Sequence, residues 1–153
     1  NAGKPYNICP GSPNLIERIE GGLISYGNEF NRSNNPLECG FENLCCFDDE
    51  INYIGKAALK KILLNGPEKR ICGIKFDGPK TVACTMPYKV FSESTELIGE
   101  ITSAIYSPRL ETNVGLGMLK SSYTGIGQPV LVSTSPGKYL GGVISKIPFD
   151  KGQ

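Results

Sequence analysis

The sequence predicts an α+β chain: a short α/β segment followed by an antiparallel six-stranded β-barrel or jelly-roll-like domain. Three observations point there. Glycine and proline supply 19 and 11 of the 153 residues, and residues that turn or break the backbone at that density favour strands and loops over long helices. Two stretches before residue 66 carry the 3.6-residue apolar period of a helix. Beyond Pro67 the apolar period drops to two, and about six short runs follow with no helix between them.

The elements follow in order. Ser12 is placed to cap a first helix and Pro13 fits its first position, where a missing N–H costs nothing. Leu15, Ile16 and Ile19 form its apolar face, with Asn14, Glu17 and Arg18 opposite. Gly21-Gly22 stops it. Glu20 sits in the last turn, where the helix dipole disfavours an acid, a local conflict of the kind that functional sites carry. Residues 23–53 read as mixed short strands and loops. Residues 56–64 read as a second helix, with Ala58/Ile62 and Leu59/Leu63 on one face and Lys56, Lys60 and Lys61 toward water. Asn65-Gly66-Pro67 ends it, and a domain boundary is expected at 66–69. Strands are expected at 70–77, where Cys72, Ile74 and Phe76 alternate with Gly73, Lys75 and Asp77, and then at 88–91, 97–106, 114–119, 129–134 and 139–147.

Composition limits the chemistry. The chain is 39% hydrophobic and 20% charged, enough to build a core. Sixteen basic residues against fifteen acidic ones argue against a nucleic-acid or acidic-membrane footprint. No apolar stretch reaches bilayer-spanning length. With no histidine there is no Ser-His or Cys-His nucleophile pair and no imidazole metal ligand, so no metal site is expected. Cys9, Cys39, Cys45, Cys46, Cys72 and Cys84 form no C-x-x-C pair, and reduced, unpaired thiols in a reducing compartment are expected. The first ten residues lack signal-peptide order, and a start at Asn1 reads as a fragment whose catalytic groups lie upstream.

Several motifs are ambiguous on spacing alone. Gly115-Leu116-Gly117 and Gly125-Ile126-Gly127 neither continue as G-x-G-x-x-G nor open a helix, so they read as strand and turn glycines. Asn14 and Arg18, four apart, share a helix face, which is ordinarily an exposed polar face. Tyr26 before Gly27 reads by default as a core aromatic. Arg109, after Ser107-Pro108, lies in a surface loop or a substrate-facing one.

The stretch from Asn14 to Gly40 resembles the folate-dependent aminomethyltransferase family, the glycine-cleavage T-protein and its relatives. The resemblance rests on Arg18-Ile19-Glu20, Ser25-Tyr26-Gly27, Glu29 and Pro36-Leu37-Glu38-Cys39-Gly40. It continues through Ile54-Gly55-Lys56-Ala57-Ala58-Leu59 to Gly99-Glu100-Ile101-Thr102-Ser103, Ser107-Pro108-Arg109-Leu110, Asn113-Val114-Gly115-Leu116-Gly117 and Ser145-Lys146-Ile147-Pro148-Phe149. T-proteins read Gly-Ala-Arg-Asp at the start of the first helix, where this chain has Asn14. That departure removes an anion-pairing guanidinium and looks more like the dimethylsulfoniopropionate demethylase branch.

The resemblance implies that residues 1–66 are the incomplete end of a folate-binding domain and 67–153 the C-terminal β-barrel domain. It implies tetrahydrofolate as cofactor, a small-molecule sulfonium or amine methyl donor, a cytoplasmic setting compatible with a homodimer, and methyl transfer that needs no metal and no covalent nucleophile. Its candidate binding residues are Asn14, Arg18, Tyr26 and Arg109. Catalytic residues are expected upstream of residue 1, so the fragment is expected to be inactive alone. A T-protein proper and a non-catalytic β-barrel binding module are the alternatives.

Overall fold

Each run after Pro67 has one apolar face to bury, and the six runs bury it by curling into a single closed sheet. The structure, a computed structural model, describes residues 4–6 and 14–150. The strands are β1 (Lys69–Phe76), β2 (Tyr88–Phe91), β3 (Leu97–Ser107), β4 (Thr112–Lys120), β5 (Pro129–Ser135) and β6 (Lys138–Ser145). All pairings are antiparallel, and the barrel closes in the order β1-β4-β3-β2-β5-β6. Closure leaves no sheet edge open to another chain. Cys72, Ile74 and Phe76 point into the interior as their alternation predicts, where they meet Val90, Ile101, Leu119, Val132 and Ile144. Each such side chain contributes about 1.5–3 kcal/mol by leaving water.

The outer face of β3 and β4 is apolar as well. There α1 (Leu15–Glu20) packs. Ile19, fully buried, meets Val114, Leu116 and Phe149. After β6 the chain returns across β1, and Phe149 and Ile147 crowd Gly73, where a Cβ would lie 2.7 Å from the Phe149 ring. The backbone N–H of Phe149 then donates to the Glu20 carbonyl at 2.8 Å, so the last described residues hold α1 down.

The first helix begins later than expected. Asn14, not Ser12, is the N-cap: its backbone is extended and its side chain accepts the Glu17 N–H. Ser12 and Pro13 lie outside the described residues. Gly21-Gly22 does end α1, through Leu23 N–H to Arg18 O and Gly22 N–H to Ile19 O, both 3.0 Å, with Gly22 at φ +68°, the Schellman arrangement.

Residues 23–53 contain no strand, contrary to the expected mix. They form turns, one 3-10 turn at Glu42–Leu44 and an isolated bridge between Tyr26 and Phe30. Asparagine side chains explain this. Asn35 Oδ1 accepts from Leu37 N–H at 3.0 Å and Glu38 N–H at 3.1 Å, and Asn31 Oδ1 accepts from Ser33 N–H at 2.8 Å. Side chains that satisfy the backbone locally leave little for a ladder.

The second helix, α2 (Lys56–Asn65), forms where expected, but its faces differ. Lys56 is buried, with its ammonium donating to the Asp48 and Ile51 carbonyls; the long stem lets a charge collar a turn while its carbons are covered. Leu64 is 86% exposed and Leu63 47% exposed, so the apolar stripe is only half covered among the described residues.

Among the described residues, Cys39, Cys45, Cys46, Cys72 and Cys84 are all unpaired; Cys9 lies outside them. Burial pushes the Cys72 thiol up to about 12, which makes it inert as a nucleophile. Among the described residues no helix is long and apolar enough to cross a membrane.

Gly115 and Gly117 are strand glycines, both in β4. A Cβ on Gly117 would stand 2.6 Å from the Glu100 carbonyl oxygen on β3. Gly117→Ala therefore forces the two strands apart, and a loss of about 1–3 kcal/mol is expected. Thermal unfolding of the variant checks it; an unchanged midpoint would show that β3 and β4 can separate freely.

Candidate functional site

The site grows from the first turn of α1. Asn14 Oδ1 accepts the Glu17 N–H at 2.8 Å, which leaves Asn14, Glu17 and Arg18 along one rim. With Leu15 and Leu23 they line an open cleft of about 440 Å³. The walls are aliphatic and the rim is polar, the usual make-up of a small-molecule site.

Arg18 is held from every side. One amino group donates to the Leu23 carbonyl at 2.7 Å and to Glu29 Oε2 at 3.0 Å; the other donates to Glu29 Oε1 at 3.1 Å and to Ser103 Oγ at 2.6 Å. The Glu29 side chain is fully buried. It also accepts the Ser25 N–H at 2.6 Å, the Asn28 amide at 3.0 Å and the Ser103 hydroxyl. A buried carboxylate with a bidentate guanidinium and further donors satisfies the conditions under which an ion pair can be desolvated. Burial alone would push Glu29 up, but donors from Arg18, Ser103 and Ser25 and the Arg18 charge outweigh it and hold the carboxyl below the ordinary value.

A second carboxylate explains the conflict at the end of α1. Glu20 is buried and accepts the Ser107 hydroxyl and, at 2.6 Å, Arg109 Nε. Arg109 also donates to the Phe149 carbonyl at 3.0 Å. Burial pushes Glu20 up, and Ser107 and Arg109 together bring it below the ordinary value. The acid that the helix dipole disfavours is therefore offset by a guanidinium from the β3–β4 turn.

The four candidate residues do not converge. Asn14 and Arg18 share the cleft, while Arg109 is engaged with Glu20 and does not line it. Tyr26 is no core aromatic: it is 63% exposed, edge-on to Phe30 at 5.7 Å, and Phe30 in turn is edge-on to Phe41 at 5.9 Å. Tyr26 also stands outside the cleft lining, on the turn that Glu29 pins. Glu29, Ser103 and Asn28 were missed as interacting groups, because nothing in local spacing links positions 74 or 75 apart. A larger cleft of about 610 Å³ lies between α2 and the Asn35–Glu38 turn, lined by Glu38, Lys61 and Glu68 among others. Among the described residues no group of three or more metal-ligating side chains comes together.

The architecture is that of a closed antiparallel β-barrel module with a short helix packed on its outer wall. The glycine cleavage T-protein C-terminal barrel domain model matches residues 69–150. The chain belongs to that family. It is 38% identical to the dimethylsulfoniopropionate demethylase DmdA of Ruegeria pomeroyi over 89% of this chain and 36% of that protein. It is 37% identical to an aminomethyltransferase of Bacillus pumilus over 88% of this chain and 36% of the relative. The crystal structure of the glycine cleavage system aminomethyltransferase T from Bartonella henselae superposes with a TM-score of 0.73 at 21% identity, over 88% of this chain and 37% of that one. The chain thus spans a little over a third of the length of these relatives.

Both buried carboxyls lie below the ordinary glutamate value of 4.5. A depressed folded value adds stability that is fully present above the unfolded value and lost as pH falls through the folded ones. Glu29→Gln should destabilise the fold at pH 7 by about 3 kcal/mol, as for a broken buried pair, and so lower the unfolding midpoint. It should also flatten the decline below pH 4.5. Unfolding midpoints of both proteins between neutral and acidic pH check the sign; parallel curves would mean Glu29 carries no linked proton.

Proposed function

We propose that this chain is the C-terminal part of a tetrahydrofolate-dependent methyltransferase that demethylates dimethylsulfoniopropionate to methylmercaptopropionate. In this reading residues 1–66 end a folate-binding domain and 67–153 form its barrel. The observation that carries the proposal is the charge balance of the cleft. Arg18 is neutralised by Glu29, Asn14 is neutral, and Glu17 pairs with no cation among the described residues. A rim with one uncompensated carboxylate suits a cationic sulfonium, and a positive charge at Asn14 would not.

The lining suits part of the cofactor. Leu15 and Leu23 offer an aliphatic wall for a flat ring, with Asn14 and Glu17 as polar edges, but the amino donors of Arg18 are taken within the chain. This rim therefore fits a neutral portion of tetrahydrofolate rather than its carboxylates. When bound, the cofactor would supply a secondary amine nitrogen as methyl acceptor, with the S–C bonding pair left on sulfur as a thioether and the amine proton released to solvent. This chain's residues would orient the donor and exclude water. The aminomethyltransferase reading is supported by several relatives of that name, up to 37% identical to this chain.

Turnover by the protein encoded in the complete reading frame separates the two. Methyl transfer from dimethylsulfoniopropionate with no aminomethyl transfer is expected, and the reverse pattern would sink the demethylase reading.

Asn14 tests the charge argument. Asn14→Arg should lower kcat/KM for the sulfonium about tenfold per 1.4 kcal/mol of lost transition-state stabilisation. Because Asn14 caps α1, the change also costs about 1 kcal/mol of stability. Asn14→Ala loses the same cap without adding charge, so only the loss beyond Ala counts. Equal kcat/KM for the two variants would leave Asn14 as a cap alone.

A further inference from the structure

Ser103 occupies an irregular point of the barrel. Pairing of β3 with β4 shifts register between Ile101 and Ser103: Ile101 faces Gly117 and Ser103 faces Leu116, with Thr102 left over. Ile101 and Ala104 both join the interior core, so the bulge places two residues between two inward ones. Bulges re-aim side chains, often beside functional sites. Here the result is specific. A serine hydroxyl has one proton to give and two lone pairs, and all three are used. It donates to Glu29 Oε1 and accepts from Arg18 at 2.6 Å and from Asn28 Nδ2 at 2.8 Å. The neighbouring Thr102 hydroxyl, buried on the same bulge, has no partner among the described residues.

We propose that Ser103 is a positioning residue through which the barrel sets the geometry of the cleft and of the Tyr26 turn. The inference rests on the methyl-transfer reading above. Its path is short. Ser103 orients Glu29 and Arg18; Glu29 Oε2 then holds the Ser25 N–H at 2.6 Å, where the turn carrying Tyr26 begins. Gly27 N–H closes that turn on the Phe30 carbonyl at 2.7 Å. Arg18 in turn fixes Leu23, a cleft wall, by its carbonyl. The barrel thereby reaches both Tyr26 and the cleft without touching a ligand.

The test uses the protein of the complete reading frame, with Ser103→Ala, Ser103→Thr and Thr102→Val. Hydrogen exchange reads the turn and steady-state kinetics with dimethylsulfoniopropionate reads the cleft. Ser103→Ala should speed exchange of the Ser25 amide and raise KM about tenfold with kcat nearly unchanged. Ser103→Thr keeps the hydroxyl and should restore KM. Thr102→Val removes an unpartnered hydroxyl and should change neither readout. A merely structural role would lower kcat through lost active protein and leave KM alone. Faster exchange with an unchanged KM would overturn the positioning role while leaving the methyl-transfer reading intact. The same KM rise in Thr102→Val would also overturn it. A wild-type protein that does not turn over dimethylsulfoniopropionate would overturn the methyl-transfer reading, and this inference with it.

Discussion

Two buried carboxylates, Glu20 and Glu29, determine how the N-terminal segment meets the barrel. A carboxylate out of water is tolerated only when donors surround it, and neither glutamate finds enough of them on its own element. Glu29 needs Ser103 from β3, and Glu20 needs Ser107 and Arg109 from the end of β3 and the turn after it. The apolar contact of Ile19 with Val114 and Leu116 gives the segment its adhesion. It is non-directional and would permit α1 to slide or rotate. The carboxylates remove that freedom, because Glu20 has to meet Ser107 and Arg109 while Glu29 meets Ser103, and only one placement of the segment satisfies all three.

That anchoring has an electrostatic consequence. The guanidinium lining the cleft is neutralised from behind, so the charge a ligand meets is set by Glu17 and by whatever stands at position 14. An Arg18 without Glu29 would make the same cleft attractive to anions. The buried pair therefore sets the charge of the cleft as well as the stability of the segment, although Glu29 is fully covered and outside the cleft lining.

The barrel was legible because its information is local. Alternation of Cys72, Ile74 and Phe76, and turn residues between runs, are properties of neighbours in sequence, and strand ends came within a residue or two. The first helix was legible in its apolar face and its glycine stop but not in its start, where Ser12 and Asn14 are both competent caps and only the folded backbone distinguishes them. Lys56 was misread because lysine is nearly always solvated; its burial depends on a turn at Asp48 and Ile51 that no period announces. Glu20 was recognised as a conflict but could not be assigned a partner 89 residues away. Arg109 was placed in a loop, correctly, without any sign that the loop folds back on α1.

Ser103 shows why the site lay largely beyond sequence reading. A period-two strand through Ile101 would put residue 103 on the same face, inside the barrel, where a serine hydroxyl is a liability. The inserted residue reverses its direction and turns the liability into a three-way junction. Nothing in the composition of the stretch from Gly99 to Ala104 marks a bulge, because the side chains that reward it, Glu29, Arg18 and Asn28, lie on a segment more than 70 residues earlier. The bulge and the buried acid are thus one feature. Without Glu29 the Ser103 hydroxyl would lose its acceptor, and without the bulge Glu29 would lose a donor that its buried charge needs. Such mutual dependence fits a barrel whose contribution is positional, holding side chains of the attached segment to an orientation that the segment could not keep alone.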